Sequence, residues 1–306
     1  MTMLRALTWF PFLAAAALLL AGCGGASAPR LSYQQQVAQA QKEPLPDVRA
    51  EKLIRIAYGQ TKASDSLGAE QTMDLAAEAC RQIQDPPMRA AAFSLVAEAQ
   101  GHIGNHSQAR TAATAALAAA EKIEDSETRA YALARVGRAQ GVMEDAGAAV
   151  RSLQKAEQLA TELKDPVGRT LVLDTVAASY QKIGREAEAD RVIGQARELA
   201  KTIGDDRQRC QAITKVAARL SAMKKKQAAE QTFDLALQTA RKINNPQSRA
   251  YALADIAREL SQAGYHARTH KILDEADQVA QKIPQPDQQQ LTLEKVRGLM
   301  GKLPRQ

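Results

Sequence analysis

Apolar residues recur along this chain at i, i+3, i+4 and i+7, the spacing of one face of an α-helix. From position 49 onward the whole pattern returns every 40 residues. Arg49, Arg89, Arg129, Arg169, Arg209 and Arg249 head six copies with no insertion between them, and a half-length seventh copy begins at Gln289. In the third copy the apolar face runs Leu133, Val136, Gly137 and Gln140, then Ala149, Leu153, Ala156, Ala160 and Leu163. The break between the two runs predicts two helices of about 17 residues. One column, from Ala76 through Ala116, Ala156, Ala196 and Ala236 to Ala276, is alanine in every full copy, as expected where two helices come too close for a longer side chain.

The boundaries are also written in. Asp85, Asp125, Asp165, Asp205 and Asn245 follow the last apolar residue of each second helix and suit the N-cap of the next first helix. Pro86, Pro166 and Pro246 come next, where a missing N–H costs nothing. Gly104, Gly184 and Gly264 stand between the two helices of a copy, where a left-handed residue ends a helix. Each copy is thus an αα-hairpin.

The order Leu133, Val136-Gly137, Gln140, Ala149, Leu153, Ala156 resembles the tetratricopeptide pattern, and Tyr180 and Phe233 supply its aromatic positions in other copies. The departure is a second helix longer than in the usual 34-residue unit. The resemblance implies an all-α, right-handed superhelical solenoid of about six hairpins over 49–288, closed by a C-terminal capping helix within 289–306. In that last segment Leu291, Leu293, Val296, Leu299 and Met300 are expected to cover the sixth hairpin, and Thr292, Glu294, Lys295 and Arg297 to face water.

Composition changes this picture little. The 306 residues are 45% hydrophobic but only 4% aromatic, so the core is aliphatic and small. A formal charge of +7 comes from interspersed Lys, Arg, Asp and Glu, a solvated surface rather than a polycationic tail, and nucleic acid is not an expected partner. Cys80 and Cys210 take columns otherwise filled wholly or mostly by alanine and read as buried small hydrophobes.

The N-terminus is different. Arg5 precedes an apolar run, Ala6 to Ala21, too short to span a bilayer but suited to a signal peptide. The run ends in Leu20-Ala21-Gly22-Cys23, which resembles the lipobox of bacterial lipoproteins. That resemblance implies a signal peptide at 1–22, lipidation of Cys23, a membrane held through that anchor, and an extracytoplasmic location. Gly24 in place of Asp favours the outer membrane. An ordinary secretory signal and an uncleaved anchor are the alternatives. Residues 23–48 read as the lipidated Cys and a flexible tether, about 25–30 Å of coil, with Pro44 and Pro46 stopping any short helix at Tyr33–Gln41.

In the tetratricopeptide family the first helices line a concave groove that binds a peptide or helix of a partner. Carried over by position, the groove holds Tyr58, Glu98, Tyr131, Arg138, Asp174, Gln181, Tyr251 and Arg258 among small residues, and Tyr and Arg dominate interface hot spots. Exposed Tyr and Arg also occur on any soluble helix. The Arg that heads each copy lies four residues after the capping residue and reads as a joint to the preceding second helix. His266, His270 and Asp274 stand at i, i+4 and i+8 and are a weak candidate for a divalent metal. Lys224-Lys225-Lys226 reads as a solvated turn. No phosphate loop, nucleophile elbow, HExxH or CxxC pattern occurs, so no cofactor, small-molecule substrate or enzymatic activity is expected. The expected function is a lipid-anchored scaffold that docks an envelope protein, and the alternative is a solute- or metal-binding lipoprotein using the His266 face.

Overall fold

The computed structural model describes residues 31–143 and 145–301. The signal segment, Cys23 and the first residues of the expected tether lie outside them. The fold is all-α, with fourteen helices and no strand among the described residues. They are α1 (Tyr33–Gln41), α2 (Pro46–Lys62), α3 (Ser66–Gln82), α4 (Pro86–Ile103), α5 (His106–Ala120), α6 (Ser126–Val142) and α7 (Ala146–Glu162). There follow α8 (Pro166–Lys182), α9 (Glu186–Lys201), α10 (Asp206–Ala222), α11 (Lys226–Arg241), α12 (Pro246–Gln262), α13 (His266–Ala280) and α14 (Pro286–Met300). None is long and apolar enough to cross a membrane. The chain divides within α7 into two compact units, 1–152 and 153–306.

Local signals set the helix starts. The side chains of Asp85, Asp125, Asp165, Asp205 and Asn245 each accept a backbone N–H of the following first turn. Gly104, Gly184 and Gly264 have φ of 89°, 74° and 85° and turn the chain between helices. The helix of each copy begins three residues before its Arg, and α14 begins at Pro286 rather than Gln289. In the first unit α2, α4 and α6 pack side by side, α2 also lies against its second helix α3, and α4 against α5. In the second unit the same relations join α8, α10, α12 and α14, with α9, α11 and α13 as second helices.

The alanine column is fully buried at Ala76, Ala116, Ala156, Ala196, Ala236 and Ala276. Around it, Leu53, Met73, Phe93 and Val96 fill the first unit, and Ile193, Ile213, Phe233, Leu253, Ile256 and Leu273 the second. Phe233 meets the ring of Tyr265 edge-on at 6.1 Å. Cys80 and Cys210 are buried free thiols, as their alanine columns require.

Two expectations are corrected. The stretch from residue 31 to 48 is not a spacer: α1 forms and docks. Ser32 and Gln35 close a capping box, Ala40 is buried, and the Tyr33 hydroxyl donates to the Gly59 carbonyl at 2.9 Å. A side chain at 59 would crowd that ring, since a Cβ there would stand 3.1 Å from Tyr33 Cε1. Pro46 opens α2 as a first-turn proline instead of keeping the segment apart. At the other end Thr292 is buried and Leu291 is 59% exposed, the reverse of the expectation. Thr292 tolerates burial because its hydroxyl donates to the Gln288 carbonyl at 2.6 Å, whereas Leu291 takes the outward column of Tyr131 and Tyr251.

Candidate interaction face

The outward columns of the first helices carry the predicted groove residues, and they are largely occupied with one another. Tyr58, Glu98 and Arg138 stand at the same position of α2, α4 and α6, in one row across the first unit. Arg138 donates from Nε to Glu98 Oε1 at 2.9 Å, and its Nη2 is 2.7 Å away. Burial, and then the Glu98 charge, push the Tyr58 phenol above its ordinary value, so it stays a neutral hydroxyl. Arg135, one turn before Arg138, is partly buried, and desolvation together with the neighbouring guanidinium pulls its pKa down. Tyr131 is half-buried on the same helix. Two arginines and the Tyr58 phenol thus converge around one carboxylate.

In the second unit Asp174 is clamped by Arg219, whose Nε and Nη2 reach its two oxygens at 3.0 and 3.2 Å. Gln181 donates to the Ala222 carbonyl at 3.1 Å. Lys215 faces Glu259 at 3.7 Å. Tyr251 is covered by Lys295, 4.2 Å from its ring centroid, and its hydroxyl lies 3.4 Å from Thr292 Oγ1. Arg258 pairs with Asp255 of its own helix at 2.9 Å. The repeated Tyr/Arg offsets in the sequence therefore do not give repeated environments. Arg138 reaches back to the preceding first helix, whereas Arg258 stays on its own.

The sequence reading missed Arg135, Arg219, Lys215, Glu259 and Lys295. A usable signal existed: Glu98 and Arg138 are opposite charges one repeat apart, and Asp174/Arg219 and Lys215/Glu259 are one repeat plus about one turn apart. The Lys224–Lys226 turn is not free. Lys224 takes a left-handed φ of 60°, Lys225 reaches Asp190 at 2.6 Å, and Lys226 opens α11.

Several leading residues act as joints to the segment before them. Arg89 donates to the Ile83 and Gln84 carbonyls, Arg209 to those of Ile203 and Gly204, and Gln289 to those of Gln281 and Ile283. These are the carbonyls left over where the preceding second helix ends. Arg169 and Arg249 each keep a buried Nε without a partner among the described residues.

The metal candidate does not assemble. Among the described residues no group of three or more His, Cys, Asp or Glu is placed to hold an ion. His266 and Asp274 are exposed, while His270 is half-buried with its Nε2 unpartnered.

No protein-family model matches the chain, and no curated protein matches it. Among solved structures, Ton1535 from Thermococcus onnurineus NA1 is similar at 14% identity and a TM-score of 0.40, over 86% of this chain and 95% of that one. The TPR-like repeats of a putative kinesin light chain from Podosopora anserina are similar at 17% identity and a TM-score of 0.39, over 66% and 98%. BtubC from P. vanneervenii is similar at 12% identity and a TM-score of 0.39, over 90% and 96%. The chain is an all-α protein of repeated helical hairpins.

Proposed function

We propose that this protein is a lipid-anchored scaffold of the bacterial cell envelope that docks a segment of a partner protein on its first-helix face. The observation that carries the docking reading is the convergence of Tyr58, Arg135 and Arg138 on α2 and α6 around Glu98, with Tyr131 half-buried further along α6. These residue types combine large amphipathic area with directional hydrogen bonding and dominate interface energetics. Their mutual ties hold the side chains in place before a partner arrives, which lowers the ordering cost of binding. The anchor reading rests on Leu20-Ala21-Gly22-Cys23 and the apolar run before it. A diacylglycerol thioether with an added acyl chain gives the two or more hydrophobic signals that stable anchoring takes.

Crosslinking and pull-down from native membranes tests the face. Wild-type protein is expected to retain a partner that Tyr131→Ala/Arg138→Ala loses, and identical prey from both would defeat the assignment. Metabolic labelling with an alkyne fatty acid tests the anchor: label should enter the wild type and be absent from Cys23→Ser.

A further inference from the structure

The second helices carry a different surface, and in the first unit one part of it is open. In the second unit three bridges tie neighbouring second helices: Arg191 to Glu157 at 2.7 Å, Arg241 to Glu275 at 2.7 Å, and Arg268 to Asp234 at 2.5 Å. Each joins residues 34 positions apart. Shifted back by whole repeats onto α3 and α5, the three pairs become Thr111 with Ala77, Arg81 with Ala115, and Gln108 with Asp74. None of these can form an ion pair, and all six residues line a cavity of about 570 Å³. Among the described residues Arg81 pairs with Glu78 of its own helix, and both side chains are exposed. Phe93 and Val96 of α4 lie at the floor.

A second observation is independent of those charges. Gln100 of α4 lines the same cavity and is 1% exposed; its Nε2 donates to Gln108 Oε1 at 3.4 Å, and its Oε1 has no hydrogen-bond partner among the described residues. One repeat later Gln140 Oε1 accepts from Ser152 Oγ at 2.8 Å. The counterpart of Ser152 is Ala112, which has no hydroxyl. The groove thus contains a buried acceptor that needs a donor, at a cost of roughly 1–3 kcal/mol while it has none. Gln60 also has an unpaired Oε1 but is not among the residues lining this cavity.

We propose that the α3–α5 groove docks a single α-helix of a partner protein, one that carries a carboxylate and a basic side chain two turns apart. The carboxylate meets Arg81 where Glu275 meets Arg241 in the second unit, and the base meets Asp74 where Arg268 meets Asp234. Arg81 and Asp74 are seven residues apart on α3, a rise of about 10.5 Å, which an i, i+7 pair on the incoming helix matches. Arg89 and Lys122 also line the cavity and add positive charge, which suits an acidic partner side chain at Arg81. The alanines of α3 and α5 leave room for a backbone to come close. A polypeptide brings N–H and O–H donors for Gln100, and a hydrocarbon tail brings none, so the groove favours protein over an acyl chain.

The test uses the full chain and two fluorescent helical peptides of about 18 residues, long enough to hold helix when stapled. Each carries Glu and Arg seven residues apart on an Ala/Leu face, in one order or the other. One order is expected to bind, and Ala115→Glu, which gives Arg81 a carboxylate on α5, should weaken it about tenfold or more, equivalent to about 1.4 kcal/mol. That column also holds Lys155, Gln195 and Glu275, so the variant should fold and its melting temperature should rise. Ala112→Ser, which supplies Gln100 with a donor from within, should also raise the melt and reduce binding. The proposal is overturned if neither peptide binds or if Ala115→Glu binds as the wild type does. It is equally overturned if sodium dodecanoate binds the groove and the peptides do not.

Discussion

At the scale of single residues, backbone sign separates the inter-helix turns. Gly104, Gly184 and Gly264 adopt positive φ freely, but Ser64 at 62° and Lys224 at 60° do so against the contact between Cβ and backbone that penalises every L side chain. Lys224→Gly should therefore stabilise the protein by about 0.5–1 kcal/mol, the strain relieved less the added freedom of the unfolded chain. A thermal melt that moves down instead would show that the Lys225–Asp190 contact depends on the Lys224 side chain. The glycine turns were legible directly, because no other residue suits them so well. The turns at Ser64 and Lys224 were legible only through the 40-residue register. The pairing of Arg138 with Glu98 was readable from charge sign and spacing, yet the cover over Tyr251 was not. It depends on where Lys295 of a later helix falls across the ring, which no local pattern encodes.

At the scale of helices, the joints between hairpins explain the invariant register better than any ligand would. Every described first-helix arginine that makes hydrogen bonds to backbone sends them to carbonyls of the segment before its helix. Arg209→Ala should lower stability by about 1–2 kcal/mol, since it leaves the Ile203 and Gly204 carbonyls without that charged donor. Arg209→Gln should recover much of the loss, because Gln289 does the same work for α14; equal melts for the two variants would tie the effect to charge alone. The second helices differ between units: α3 and α5 are capped by Asp65 and Asn105 side chains, whereas α9, α11 and α13 begin at Arg185, Lys225 and Tyr265 without a side-chain cap. Helix α1 was legible in sequence as a short helix at Tyr33–Gln41, but its docking was not. Its apolar content is Val37, Ala38 and Ala40 among glutamines, and what holds it is a Ser32/Gln35 box and the Tyr33 hydroxyl's bond to a Gly59 carbonyl far along the chain.

At the scale of the whole molecule, stability comes from neighbouring hairpins burying one another's small aliphatic faces, so opening need not be global. Each unit carries one buried thiol, Cys80 in the first and Cys210 in the second, and burial pushes them up to about 12 and about 11 from an ordinary 9.0. A thiol with a raised folded pKa contributes stability that is complete below the unfolded value and is lost as pH rises through the folded one. Melting temperature should accordingly fall between about pH 9 and 12, and Cys80→Ala, which restores that column's usual residue, should lessen the fall. At neutral pH the same burial makes both sulfurs inert until the surrounding helices part. In a Cys23→Ser background, the rate at which each is alkylated becomes a separate clock for its own half of the chain. Partner binding that slows one clock and not the other would report which half has been seized.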